Sequence, residues 1–138
     1  MVAKVVWSKH GLVFDGTAGS GGQVQLASGL DKGQPGFRPM ELMGIALAGC
    51  TAMDVISILQ KKQQDVVNFE VLVHTRSAET QPHVWDWVQI EYVVSGRKID
   101  PTALERAMEL SSKKYCPAQN MINKAVDIEL VYKIIEVD

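Results

Sequence analysis

Residues 39–62 read PMELMGIALAGCTAMDVISILQKK, and the fold turns on how this stretch is covered. Pro39 suits the first turn of a helix, where its missing N–H leaves nothing unpaired. Apolar residues then occupy nearly every side of the helix, and a helix apolar all round must be buried all round. Gly44, Ala46, Ala48, Gly49 and Ala52 would let another backbone come close. One domain of 138 residues can hardly surround such a helix. The reading is therefore a helix packed against its twin in a dimer, beneath sheets from both chains. The alternative is a central helix wrapped by its own chain alone. The stretch is also long enough to span a bilayer, but Glu41 and Asp54 within it point to a buried helix and not a membrane span.

Strand patterns lie on both sides. Residues 3–8 and 11–14 predict two short strands turned at His10-Gly11, and a glycine-rich turn, Gly16–Gly22, leads to a third at Gln23–Ala27. The loop from Ser28 to Arg38 carries Gly29, Gly33, Pro35 and Gly36 as breakers. Beyond the helix, Phe69–Ser77 and Val84–Ser95 alternate as strands, with Phe69, Val71 and Val73 on one face and Val88, Ile90, Tyr92 and Val94 on another. Asp100 and Pro101 form a helix start, N-cap then N1. Leu104, Ala107, Met108, Ser111 and Tyr115 make an apolar stripe along that helix, Pro117 opens a short helix to Lys124, and residues 126–137 form a last strand. The order is βββ-α-ββ-αα-β, an α+β fold in one domain, 1–138.

Composition narrows the function classes. Net charge is -2, which leaves no basic footprint for nucleic acid or an anionic membrane. Met1–Lys9 has no apolar signal-peptide core, and two cysteines without an export signal point to the reducing cytoplasm. No Walker loop, GxGxxG, HExxH or GxSxG occurs, and His10, His74 and His83 stand singly. Neither cofactor nor metal is expected.

Cys50 and Cys116 carry the chemistry. If Cys116 caps the Pro117 helix, its sulfur faces unpaired N–H groups that favour a thiolate, with Lys113 and Lys114 near by. On this electrostatic ground Cys116 is the more acidic thiol. Cys50 sits in a buried helix with Asp54 one turn on, on the same face, and a carboxylate there raises a thiol pKa. Either cysteine alone also reads as a small buried hydrophobe.

The segment Pro39 to Val55, with Ala48-Gly49-Cys50-Thr51-Ala52 at its centre, resembles the first cysteine motif of the OsmC/Ohr family. Lys114-Tyr115-Cys116-Pro117-Ala118-Gln119-Asn120-Met121 is similar to its second, and the order of elements agrees along essentially the whole chain. Within the family the chain looks most like the YhfA-like branch. The resemblance implies an OsmC-like fold: an intertwined homodimer with two long central helices between two sheets. It implies a thiol-dependent peroxidase acting on organic hydroperoxides or hydrogen peroxide. Cys50 would attack the peroxide and become a sulfenic acid, Cys116 would close the disulfide, and a dithiol reductant would reopen it. The family's activating arginine and glutamate fall on Arg38 and Glu41, Arg38 by proximity alone. Glu41 lies nine residues before Cys50, half a turn out of phase, and serves only if the helix is not yet regular there. Phe37, Met40, Met43 and Met121 would line an apolar substrate site or form plain dimer core. A non-catalytic binding protein for an apolar ligand and a redox sensor are the competing readings.

Overall fold

Alternation near the amino terminus produces a three-stranded antiparallel meander in the computed structural model, which describes residues 1–30 and 33–138. Strands β1 (Ala3–Trp7), β2 (Val13–Ala18) and β3 (Gln23–Ala27) pair in that order, Val5 opposite Gly16 and Gly16 opposite Val24. Gly16 is therefore a strand residue, and the turn between β2 and β3 is narrower than its run of glycines suggested. In the loop expected over Ser28–Arg38, Asp31 and Lys32 lie outside the described residues. The loop returns at Phe37, which exchanges backbone hydrogen bonds with Gln25 (2.8 Å) and Ala27 (3.0 Å). Gly36 makes this approach possible: its φ is +127°, and a Cβ there would sit 2.9 Å from the Gln25 carbonyl oxygen.

The chain divides into two compact units, Met1–Gly44 and Ile45–Asp138, with helix α1 (Pro39–Lys61) running through the boundary. In the second unit β4 (Asp65–Ser77) and β5 (Trp85–Arg97) form an antiparallel hairpin, and β6 (Ile128–Glu136) lies parallel to β5. Parallel neighbours need a long crossover. Here it contains α2 (Pro101–Leu110), a π-helical turn (Ser111–Tyr115) and α3 (Pro117–Ile122). Asp100 caps α2 as expected, its carboxylate accepting from Thr102 N at 3.0 Å.

Side-chain alternation along β5 buries Val88, Ile90, Tyr92 and Val94 on one face, each fully inaccessible. They share one core with Leu47, Val55 and Leu59 of α1 and with Ala103, Leu104, Ala107 and Met108 of α2. Each fully buried aliphatic side chain contributes about 1.5–3 kcal/mol.

Only one stripe of α1 is covered. Leu47, Thr51, Val55 and Leu59 recur every fourth residue and are fully buried, whereas Met53 is 73% and Ile45 52% exposed. By length and composition this helix passes as a membrane span, yet 22% of its apolar window is buried within the chain. The alternative of a helix wrapped by its own chain is thereby overturned.

The π-helical turn changes which residue faces the core. A regular helix would continue the stripe Leu104, Ala107, Met108, Ser111 to Tyr115. Instead Cys116 N donates to Ser111 O at 2.8 Å, five residues back, and the wider turn admits one extra residue. Tyr115 is consequently 50% exposed and Cys116 fully buried.

Candidate active site

Helix α1 presents Cys50 one residue before the buried Thr51 and one helical turn before Asp54. The crossover brings Cys116 to the same place, close enough to Cys50 for that thiol to help raise the Cys116 pKa. Both cysteines are free; Cys50 is half-buried and Cys116 buried.

Cys116 is the N-cap of α3, as its position before Pro117 predicts, and its sulfur accepts from Gln119 N at 3.3 Å. The capping geometry does not make it acidic. Burial pushes the Cys116 thiol up from 9.0 to about 11, and the Gln119 N–H pulls back only part of that. The neighbouring Cys50 thiol and the Asp54 charge raise it further. The expectation that the helix end makes Cys116 acidic is therefore corrected: a six-residue helix supplies one N–H to the sulfur, while the fully buried setting removes its water. Lys113 and Lys114 do not compensate. Lys113 pairs with Glu109 at 3.5 Å, and the Lys114 ammonium stands over the Tyr115 ring at 5.2 Å.

A polar chain runs beside the dithiol through the apolar core. The Thr51 hydroxyl lies 2.8 Å from the Tyr92 hydroxyl and 2.8 Å from Ser111 Oγ, and Ser111 donates to Asp54 Oδ2 at 2.9 Å. A carboxylate only accepts, and each hydroxyl has one proton. The Ser111 proton is committed to Asp54, so Thr51 donates to Ser111 and Tyr92 donates to Thr51. Burial lifts the Tyr92 phenol from 10.0 to about 12, which Thr51 and Gln119 oppose and the Cys116 and Asp54 charges reinforce. Gln119 is 3% exposed, and its Nε2 has no well-formed hydrogen-bond partner among the described residues, although the side chain lies close enough to Tyr92 to lower its pKa. Tyr92, Thr51, Ser111 and Gln119 were not singled out from the sequence as functional. The available signal was polar residues at core positions, Ser111 in the α2 stripe and Tyr92 on the buried face of β5.

Arg38 and Glu41 come together with each other, in the first unit. Glu41 Oε1 accepts from Arg38 N at 2.7 Å, the reciprocal half of a capping box at the start of α1. The Arg38 guanidinium donates from Nη1 to Gly36 O at 3.2 Å and lies against Gly29. Because α1 is regular from Pro39, the condition on which Glu41 would face Cys50 along its own helix is not met. Phe37, Met40, Met43 and Met121 are all exposed in the single chain, Met121 by 71%.

Two three-stranded sheets and a long helix, with one cysteine on that helix and one on the crossover, are the elements of an OsmC-like protein. The OsmC-like protein family matches residues 30–131, and the chain belongs to this family. Protein YhfA of Escherichia coli K12 is 39% identical over 135 residues, 98% of each chain. A structural-genomics structure superposes with a TM-score of 0.88 at 36% identity, covering 99% of this chain and 100% of that one. The organic hydroperoxide resistance protein OhrB of Bacillus subtilis shares the fold, with a TM-score of 0.63 at 18% identity over 96% of this chain and 98% of its own.

Proposed function

We propose that the chain, acting as one domain of 138 residues, reduces hydroperoxides through a Cys50–Cys116 dithiol. The nearness of the two thiols, close enough for Cys50 to help raise the Cys116 pKa, is the observation that carries this reading. Cys50 is the attacking thiol, since it is half-buried while Cys116 is sealed from solvent and held protonated near neutral pH. The Cys50 thiolate takes one peroxide oxygen, becoming a sulfenic acid, and the leaving alkoxide takes up a proton as the alcohol. Cys116 displaces the hydroxyl, the thiol proton leaves with it as water, and the disulfide forms. A dithiol reductant then returns both thiols and is itself oxidised to a disulfide. Membership of a family whose solved relatives include hydroperoxide resistance proteins supports the same reading.

The uncovered apolar sides of α1 support a homodimer in which two copies of this helix pack together. Arg38 is the proposed activator of Cys50, with Glu41 holding the Arg38 backbone in place. A dithiol that must be returned to the reduced form suits a reducing, cytoplasmic setting. A second reading, apolar-ligand binding without catalysis, draws on a groove of about 290 Å³ lined by Val5, Leu12, Phe14, Leu26 and Pro39. Consumption of cumene hydroperoxide by purified protein with dithiothreitol separates the two. Turnover that vanishes in Cys50→Ser supports the peroxidase, and no turnover in the wild type refutes it.

A further inference from the structure

Cys50 and Cys116 belong to separate elements, α1 and the end of the crossover, and two buried hydroxyls join those elements beside the sulfurs. Thr51, the residue next to Cys50, shares its hydroxyl with Ser111 at 2.8 Å. Ser111 opens the π-helical turn and receives the Cys116 N–H on its carbonyl at 2.8 Å. Its side chain simultaneously donates to Asp54, one helical turn beyond Cys50, at 2.9 Å. Both hydroxyl residues are fully buried in otherwise apolar surroundings, where an unpaired polar group is costly, so the clamp has no competing water partner. π-Helical turns tend to occur at functional sites, and this one puts Cys116 on the α1 side of the crossover.

We infer that Thr51 and Ser111 are positioning residues: their hydroxyls clamp α1 to the crossover and hold the two sulfurs in register for disulfide closure. Asp54 anchors the clamp by accepting the Ser111 proton. This rests on the dithiol reading above and deepens it, because the residues named touch neither the peroxide nor the reductant. The clamp acts on the exchange step itself. Protein dithiol and glutathione disulfide give protein disulfide and two glutathione thiols, with no peroxide involved.

The test is the equilibrium constant of that exchange in glutathione redox buffers, read by mass for the wild type and for Thr51→Val, Thr51→Ser and Ser111→Ala. Thr51→Val preserves volume and removes the hydroxyl; Thr51→Ser keeps the hydroxyl. The expected result is at least a tenfold weaker disulfide in Thr51→Val, about 30 mV in potential, with Thr51→Ser within twofold of the wild type. Ser111→Ala gives a second reading of the same loss if Thr51→Val fails to fold. Equal constants for the wild type and either hydroxyl-deletion variant overturn the clamp. Loss in Thr51→Ser equal to that in Thr51→Val overturns it too, since packing would then explain both. A wild type that forms no intramolecular disulfide overturns the clamp and the dithiol cycle together. A wild type that closes its disulfide but consumes no peroxide removes the peroxidase reading and leaves the clamp standing.

Discussion

Unfolding should make Cys116 more reactive, and by an amount the structure sets. Burial lifts its pKa from 9.0 to about 11, which lowers the thiolate fraction at pH 7.5 by about a hundredfold. A thiolate of higher pKa is intrinsically more nucleophilic, and a Brønsted slope of about 0.4–0.5 returns roughly six- to tenfold of that loss. The net expectation is alkylation at least about tenfold slower in the native protein than in guanidinium, and burial of the sulfur slows it further. Site-resolved initial rates with iodoacetamide, read by peptide mass, measure this directly for both cysteines in one sample. Ionisation is separated from access by the pH profile. The native Cys116 rate should still climb about tenfold per unit between pH 9 and 10, where the unfolded rate is levelling off. A native Cys116 that reacts as fast as the unfolded one would refute the reasoning and restore the helix-cap argument for an acidic Cys116.

Other expectations follow from the same contacts. Sedimentation at low micromolar concentration should show a species of twice the 15.2 kDa chain, and a stable folded monomer would remove the case for a twin helix on α1. Arg38→Met should slow Cys50 alkylation at pH 7 at least tenfold, about 1.4 kcal/mol; an unchanged rate takes Arg38 out of the mechanism. Stability should fall at alkaline pH. The folded Cys116 pKa is raised, so above pH 9.0 the unfolded chain loses this proton first and binds fewer protons than the native one. The loss runs through pH 9–11 and, with screening allowed for, reaches about 1–2 kcal/mol near pH 10.5. Tyr92 extends the decline toward pH 12 by the same sign. Urea midpoints at pH 8 and 10.5 should differ less in Cys116→Ser than in the wild type.

The architecture was legible because its signals are local. Pro39 and the Asp100-Pro101 pair mark helix starts by chemistry that does not depend on tertiary context, and the alternation along residues 88–94 names the buried face of β5. The two cysteine motifs drew attention to two thiols that the fold brings near each other. What the sequence could not show was phase and partnership. A π-helical turn has no distinct sequence pattern, so Tyr115 read as the next core residue where Cys116 takes its place. The acidity argument for Cys116 weighed the helix end without the burial that outweighs it. The contacts between Thr51 and Tyr92 and between Ser111 and Asp54 join residues far apart in the chain, and hydroxyls in apolar stripes read as gaps until the fold pairs them. Glu41 drew attention as a charge near the reactive helix, whereas in the structure it accepts from the Arg38 backbone N–H just before that helix.

The central claim is that Cys50 attacks the peroxide and Cys116 resolves. Intact-mass analysis after one equivalent of hydroperoxide tests it most directly. The wild type should lose two hydrogens per chain, and Cys116→Ser should instead gain one oxygen on Cys50. An oxygen adduct on Cys116 in Cys50→Ser, with Cys50 inert in Cys116→Ser, would contradict the account.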